Sequence, residues 1–217
     1  MSELQIFGAP QSNFVWVTRI VCAEKGVPYT LVTAMPHSPE IDAIHPVGKI
    51  PALRHGEVSL AESRAICFYI DKVFDGPSLM PADVIAAART EQWISIVNTH
   101  VDPLLVRQYL GGYFFPRTPD GSPDRKRIDA TLEGMERQFD LLETAVARGD
   151  GGLVNETFTL ADANLLPILY YLSKMPESGA MFGRSKRLQA YFERHMQRPS
   201  VVATVPPPMS SLRQHAA

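Results

Sequence analysis

Gly48-Lys49-Ile50-Pro51-Ala52-Leu53, followed after a short spacer by Leu60-Ala61-Glu62-Ser63-Arg64-Ala65-Ile66, is the stretch on which the reading of this chain turns. Ile50-Pro51-Ala52-Leu53 and Val58-Ser59-Leu60 are short apolar runs separated by His55-Gly56, the pattern of a β-hairpin. A proline at the mouth of a strand cannot donate to the ladder and is the usual place for a cis peptide. Such a bond turns the Ile50 backbone outward and leaves its N–H and C=O for an extended, peptide-like ligand. Glu62 and Ser63 stand just after the second strand and at the entrance of a helix. There, free N–H groups and the positive end of the helix dipole can hold a carboxylate. A turn proline or an ordinary helix cap accounts for either element alone. Both together on one hairpin and helix point to a binding edge.

Outward from this stretch the chain alternates short apolar runs with helical patterns. Leu4-Gln5-Ile6-Phe7 reads as a strand, with turn residues Gly8-Ala9-Pro10 behind it. A helix follows from Ser12, with Phe14, Val15, Ile20 and Val21 apolar and Gly26 closing it. Its β-branched residues lower the intrinsic propensity, so this helix depends on packing. Tyr29-Thr30-Leu31-Val32 is a second strand, and a βαβ unit of this length implies a parallel pair with a right-handed crossover. Ser38-Pro39-Glu40 looks like the cap, first-turn proline and dipole-matched acid of a short helix. Glu62 to Phe74 returns to helical period, with Ile66, Tyr69, Ile70 and Val73 on one side. The order β-α-β-α-β-β-α makes residues 1–75 a small α/β domain.

Asp75 to Asp83, with Pro77 and Pro81, breaks the pattern, and residues 76–83 read as a linker. Residues 84–217 are expected to form an all-helical domain. One helix runs from about Val84 towards Tyr113, carrying Trp93, Val97, Val101, Leu104 and Leu105, with a bend expected at Pro103. After the Gly-Pro-rich stretch Phe115 to Pro123, the residues Ile128, Leu132, Met135, Phe139 and Leu142 recur at steps of four and three. Gly149 to Gly152 ends that helix. Further helices begin at Thr159 and span Lys186 to Met196, and the tail from Pro199, with Pro206-Pro207-Pro208, is expected to be irregular.

The bulk properties exclude several classes. A chain of 217 residues with 45% apolar and 20% charged residues is globular and long enough for a substantial core. A net charge of −2 gives no footprint for nucleic acid or an anionic membrane. The N-terminus has no basic segment leading into an apolar one, and no apolar run approaches the roughly 20 residues of a membrane span. The expectation is a cytoplasmic protein without a secretory signal. Cys22 and Cys67 are read as reduced core residues, neither a disulfide framework nor a zinc pair. The six histidines have no metal-ligand spacing, and there is no phosphate-binding glycine loop and no Ser-His-Asp signature.

Three further features bear on chemistry. Pro10-Gln11-Ser12-Asn13 lies between the first strand and first helix, where Ser12 either caps the helix or offers its hydroxyl to a ligand. Thr159-Leu160-Ala161-Asp162 fits a capping box, with Phe158 and Ala163 as the staple, and its carboxylate is structural rather than catalytic. Tyr109, Tyr113 and Phe114 cluster at the end of the first long helix, either as core or subunit contacts or as an apolar wall with phenolic donors.

The β-α-β-α-β-β-α order with its proline resembles a thioredoxin-like domain. The pair "GKIPAL" and "ESRAI" resembles the glutathione-binding half of the soluble, cytosolic glutathione S-transferases, in their serine-type, bacterial or plant-like form. By this resemblance Ile50, with Pro51, pairs its backbone with the cysteinyl part of glutathione, Glu62 and Ser63 hold the γ-glutamyl end, Lys49 lies near the site, and His37 reaches the glycyl carboxylate. Ser12 matches the family's hydroxyl in its offset from Gly8 and would stabilise the thiolate. Redox thioredoxins carry a Cys-x-x-Cys pair at this turn, and both cysteines are absent here. Many bacterial and plant relatives place an arginine a few residues into this helix, where Phe14-Val15-Trp16-Val17 is apolar, which leaves Asn13 as an alternative donor. The resemblance implies glutathione as co-substrate, no metal, a small hydrophobic electrophile between the domains against Tyr109, Tyr113 and Phe114, a homodimer, and a role in detoxification. It leaves open a glutathione-dependent isomerase, peroxidase or dehalogenase on the same fold, or a non-catalytic binding protein.

Overall fold

The structure, a computed structural model, describes residues 3–149 and 151–214, without the side chains of residues 212–214; residues 1, 2, 150 and 215–217 of the expected domain spans lie outside the described residues. The chain divides into two compact units. One runs to Leu79 and also takes in the segment from Gln197 onward; the other spans Met80–Met196.

The first unit follows the expected element order. Strand β1 (Leu4–Phe7), helix α1 (Asn13–Glu24), strand β2 (Thr30–Val32), short helix α2 (Pro39–Asp42), hairpin β3 (Ala52–His55) and β4 (Val58–Ala61), and helix α3 (Ser63–Val73) succeed one another. The described strands form one sheet in the order β2-β1-β3-β4. β1 is parallel to β2, as the βαβ reading requires, and antiparallel to β3, which pairs antiparallel with β4. Pro51 has no N–H for the ladder, so β3 starts one residue after it rather than at Ile50.

Ile6 and Leu53 face each other across β1 and β3, both fully buried. α1 contributes Val15, Trp16, Ile20 and Val21, and α3 contributes Ile66 and Ile70, to the unit's core. Burial thus supplies the stability that the β-branched composition of α1 withholds. A second cluster of Phe7, Ala34, Ile41 and Ala52 packs around α2. Cys22 and Cys67 are both free and buried, and burial pushes the Cys67 thiol up to about 12 and the Cys22 thiol up as well, so neither is a ready nucleophile.

The stretch expected to be a linker is tied down at its start. Buried Lys25 donates from Nζ to the backbone carbonyls of Asp71 (3.1 Å) and Gly76 (3.2 Å), with the Asp71 carboxylate 3.8 Å away. Asp71 in turn accepts from the Leu79 N–H (2.8 Å) and the Ser78 hydroxyl (3.2 Å), and Leu79 is buried.

The tail, expected to be irregular, forms a short helix at Pro199–Val202 and a 3-10 turn at Met209–Gln214. It groups with the first unit because α1 offers it polar anchors. The Trp16 indole N–H donates to Thr204 Oγ1 at 3.0 Å. Arg198 donates from Nε and Nη2 to Glu24, each at 2.9 Å, and the Ser200 hydroxyl joins them on the same carboxylate.

The second unit is helical throughout its described elements. Helix α4 (Val84–Ile96) continues without a break into a π-helical stretch, Val97–Leu110, and a last turn, α5 (Gly111–Phe114). Pro103, where a bend is expected, lies inside this wider winding. A proline has no N–H and crowds the carbonyl four residues back, and π winding relieves both. The periodic stretch from Ile128 divides into α6 (Arg125–Asp129) and α7 (Leu132–Arg148), because buried Thr131 turns its hydroxyl onto the Ile128 carbonyl at 2.6 Å and ends α6. α8 (Leu160–Leu172) is buried on nearly every side. α9 (Pro176–Arg184) and α10 (Lys186–Met196) complete the unit, α10 with the bounds read from the sequence and α9 as an additional helix.

At the start of α8 the capping box forms, and its acid does more than cap. Fully buried Asp162 accepts from the Thr159 N–H (2.8 Å) and hydroxyl (2.7 Å) on one oxygen. On the other it accepts from the Leu153 N–H (2.8 Å) and the Tyr191 hydroxyl (2.9 Å). One carboxylate thereby joins α8, the Gly-rich loop before it and α10.

Candidate active site

Sheet register brings the separate sequence signals to one edge. Phe7, the last residue of β1, pairs with Ala52, the first of β3, and Ala52 pairs with Ala61, the last of β4. The turn after β1, the Ile50-Pro51 segment before β3 and the Glu62-Ser63 segment after β4 therefore leave the sheet side by side. Two helix N-termini, of α1 and α3, begin at this edge, and neither has an acidic residue in its first turn to offset its positive end.

Gly8 holds the first two segments together. A Cβ added there would stand 2.5 Å from Val15 Cγ2 and 3.2 Å from Ile50 Cβ, and its φ of +151° lies where side chains are rarely tolerated. The residue is small because α1 and the Ile50 segment close over it. Ser12 caps α1: its Oγ accepts from the Val15 N–H at 3.5 Å, a long bond. Its own O–H donates to no group among the described residues, so capping and donation to a ligand are compatible in one hydroxyl. Asn13, the alternative donor, is buried at the first position of α1.

The Ile50–Pro51 peptide is cis, as the sequence leads one to expect. Neither the N–H nor the C=O of Ile50 enters the backbone hydrogen-bond pattern of the described residues. Lys49 beside it is exposed. His37 reaches this segment through its backbone, its N–H donating to the Gly48 carbonyl at 2.9 Å. Its ring lies over Gly48, with Nδ1 3.7 Å from Asp42 Oδ1 and the side chain 73% exposed. His37 and Glu62 are the non-glycine residues with positive φ among those described.

Glu62 has φ 67° and ψ 117°, a sparsely populated conformation that surrounding structure must impose. It turns the chain from β4 into α3, so the side chain projects outward, 70% exposed, while the half-buried Ser63 opens the helix. One residue absent from the sequence-based site list stands beside it. His45, its side chain 2% exposed, has Nε2 3.6 Å from Glu62 Oε1. No motif marked His45; its signal is spatial.

The tyrosine cluster belongs to the helical unit and is engaged there. Tyr109 is buried, donating to Glu177 Oε2 at 3.0 Å and accepting the Ser178 N–H at 3.1 Å. Tyr113 donates to the same Glu177 oxygen at 2.5 Å, and Arg125 donates to the other oxygen at 2.6 Å. Burial alone would push the Glu177 carboxyl up, but the hydrogen bonds from Tyr113, Arg125, its own backbone and Tyr109 outweigh it and hold the group at about 2. Both phenols are pushed above their ordinary range, chiefly by burial. Phe114, half-buried, meets Tyr171 edge to face at 5.8 Å. Thus Ser12, Ile50, Pro51, Glu62, Ser63, Lys49 and His37 lie on or next to one edge of the first unit. Tyr109, Tyr113 and Phe114 form a separate group. No set of three His, Cys, Asp or Glu side chains among the described residues is placed to hold a metal ion.

Known proteins converge on the same architecture. Residues 6–78 match the family model "Glutathione S-transferase, N-terminal domain", and residues 125–194 match "Glutathione S-transferase, C-terminal domain". The chain is 35% identical to glutathione S-transferase 3 of Zea mays, over 97% of this chain and 99% of that protein. The solved structure of glutathione S-transferase III in its apo form superposes with a TM-score of 0.81 at 33% identity, covering 95% of this chain and 100% of the other. The glutathione-bound theta-class enzyme of Xanthomonas axonopodis pv. citri gives 0.83 at 25%, covering 96% and 100%. With both domain models matched and a relative of this identity aligned over nearly its whole length, the chain belongs to the glutathione S-transferase family.

Proposed function

We propose that this glutathione transferase binds glutathione along the edge where β1, β3 and β4 end and conjugates its thiolate to a hydrophobic electrophile. The observation that carries the reading is the convergence there of a donor hydroxyl, an unused backbone pair and two helix N-termini. Ile50 pairs its N–H and C=O with the cysteinyl residue, as a strand added to an edge would. Glu62 takes the γ-glutamyl ammonium, and Ser63 with the N–H groups of α3 takes the adjoining carboxylate. Lys49 and His37 stand near the glycyl end, where a cation favours the carboxylate.

Ser12 donates to the sulfur. A free thiol has a pKa of about 8.5, and lowering it by about two units needs about 2.7 kcal/mol. One hydrogen bond to a charged acceptor contributes about 1.5–3 kcal/mol and the N-terminus of α1 about 0.3–1 kcal/mol, so the two together suffice. The thiol proton passes to solvent and the thiolate forms a C–S bond to the electrophile, which in substitution expels its leaving group and in Michael addition takes up a proton from solvent; Ser12 never forms a covalent bond. On the electrophile side Tyr113 and Phe114 supply apolar surface backed by buried Tyr109. The phenolic protons of Tyr109 and Tyr113 already go to Glu177, which favours contact by ring faces over hydrogen bonding. A homodimer, a cytoplasmic location and a role in detoxification belong to the same reading. Exposed Phe68 on α3, flanked by Arg64 and Lys72, is consistent with a face that a second copy covers.

The test is calorimetric titration of wild type, Glu62→Ala and Ser12→Ala with reduced glutathione, with a conjugation assay on an aromatic electrophile. The reading expects wild type to bind, Glu62→Ala to lose binding, and Ser12→Ala to bind but lose turnover. Absence of wild-type binding at millimolar glutathione would overturn it. Sedimentation as a monomer would remove the dimer.

A further inference from the structure

Glu62 is exposed, strained in backbone and, on its own, a long side chain free to rotate. A carboxylate meant to meet an ammonium pays rotamer entropy when it is fixed, unless the protein fixes it beforehand. We propose that His45 is a positioning residue that holds the Glu62 carboxylate in its binding orientation. This inference rests on the assignment of Glu62 to the γ-glutamyl ammonium.

The argument begins with the ring's two nitrogens. Nδ1 of His45 accepts the backbone N–H of Val47 at 3.2 Å, which assigns the ring proton to Nε2. Nε2, which carries that proton, is the ring nitrogen 3.6 Å from Glu62 Oε1. The ring cannot swing away, because its side chain is almost fully buried and its backbone is held at both ends. The His45 N–H donates to the Ile41 carbonyl at 2.7 Å, and the His45 carbonyl accepts the Gly48 N–H at 2.9 Å. His45 therefore sits in the loop that ends in Gly48-Lys49-Ile50, and one imidazole joins the segment binding the cysteinyl backbone to the residue binding the γ-glutamyl end. The gap of 3.6 Å is longer than a hydrogen bond, so the contact acts through charge and dipole at ion-pair distance. The imidazole lowers the number of orientations open to the carboxylate without competing for the ammonium.

Two substitutions separate the ring's two bonds. Asn at position 45 places its amide oxygen where Nδ1 is, keeping the Val47 N–H partnered, but has nothing that reaches Glu62. Gln at position 45 reaches the Nε2 position and restores a donor to Glu62 while giving up the Val47 bond. The probes are glutathione and its analogue without the γ-glutamyl ammonium, glutaryl-cysteinyl-glycine, titrated against each full-length variant by calorimetry. The readout is the ratio of the analogue's Kd to that of glutathione, which cancels any general loosening of the site. His45→Asn is expected to lower this ratio about three- to five-fold, the factor corresponding to an exposed ion-pair contact, and His45→Gln to keep it near wild type. With either variant, kcat at saturating glutathione stays near wild type while KM for glutathione follows the Kd. A His45→Asn variant that weakens both ligands equally, or neither, overturns the positioning role. If Glu62→Gln leaves the wild-type ratio unchanged, the assignment of Glu62 itself is wrong and this inference falls with it. If Glu62→Gln collapses the ratio while His45→Asn does not move it, only the inference about His45 fails.

Discussion

Replacing Asp162 by alanine should unfold the helical unit well before it touches the chemistry. The carboxylate is fully buried and receives four hydrogen bonds, from the Leu153 and Thr159 amides and the Thr159 and Tyr191 hydroxyls. Alanine leaves both amides and a buried phenol without a partner, and each such group costs about 1–3 kcal/mol. The losses do not add fully, because the Thr159 hydroxyl can rotate and the vacated space can admit water, so the expected total is about 3–5 kcal/mol. At about 2–4 °C per kcal/mol for a chain of this length, the melting temperature should fall by about 6–20 °C. Tyr191→Phe withdraws one donor without orphaning the acid and should cost only about 1 kcal/mol. Urea titrations followed by far-ultraviolet circular dichroism measure both variants, and conjugation assays at low temperature, where each remains folded, measure turnover. A loss below about 1 kcal/mol for Asp162→Ala would refute the reasoning that this acid organises α8, its preceding loop and α10. So would a fall in kcat with stability intact, since that would make the acid a participant in the reaction.

Three other outcomes follow from features of the two units. Gly8→Ala forces a Cβ against Val15 and Ile50 at a left-handed φ, and should cost about 1–3 kcal/mol in urea while raising KM for glutathione, because the Ile50 segment is what yields. Lys25→Met removes the buried ammonium from the Asp71 and Gly76 carbonyls, while the Asp71 carboxylate keeps the Leu79 amide, the Ser78 hydroxyl and Lys72; it should cost about 1–3 kcal/mol, and a double-mutant cycle with Lys25→Met/Asp71→Asn will measure how much of that is the charge coupling. The Glu177 carboxyl is lowered from 4.5 to about 2, so its contribution to stability is fully present above pH 4.5 and lost as pH falls from 4.5 towards 2; Glu177→Gln should therefore narrow its stability difference from wild type across that window, read from urea midpoints at successive pH values.

The hairpin and the helix after it were legible because their signals are local. Pro51 excludes itself from a ladder, Gly56 permits the turn, and Ser12 and Ser38 stand where helices begin; each acts within a few residues of its own position. The α10 boundaries were legible for the same reason. The tail was not, since what orders it is Trp16 and Glu24, more than 170 residues away in the chain. Nor was the division at Thr131, because the helical period of the apolar residues runs through it and only the hydroxyl's choice of the Ile128 carbonyl breaks it. In the candidate site the motif residues could be named from sequence, but their supporting groups could not. A lone His45 has no spacing that distinguishes it from a solvated histidine, and its relation to Glu62 exists only once β4 lies beside the preceding loop. The partners of Tyr109 and Tyr113 are equally remote, Glu177 lying 64 residues beyond Tyr113.

Because the segment from Gln197 onward joins the unit formed by the residues up to Leu79, the unit whose sheet is synthesised before the helical one is completed only after it. While the ribosome adds the roughly 125 residues between Leu79 and Thr204, about 6–25 s at about 5–20 residues per second, the nascent first unit has its sheet but not yet the Thr204 contact of Trp16 or the Arg198 and Ser200 contacts of Glu24. The helical unit, contiguous in sequence, can close within that interval. Vectorial synthesis thus leaves the first unit waiting on the stretch from Arg198 to Thr204, and a premature stop codon between Met196 and Arg198 strips Trp16 and Glu24 of partners encoded far downstream of them.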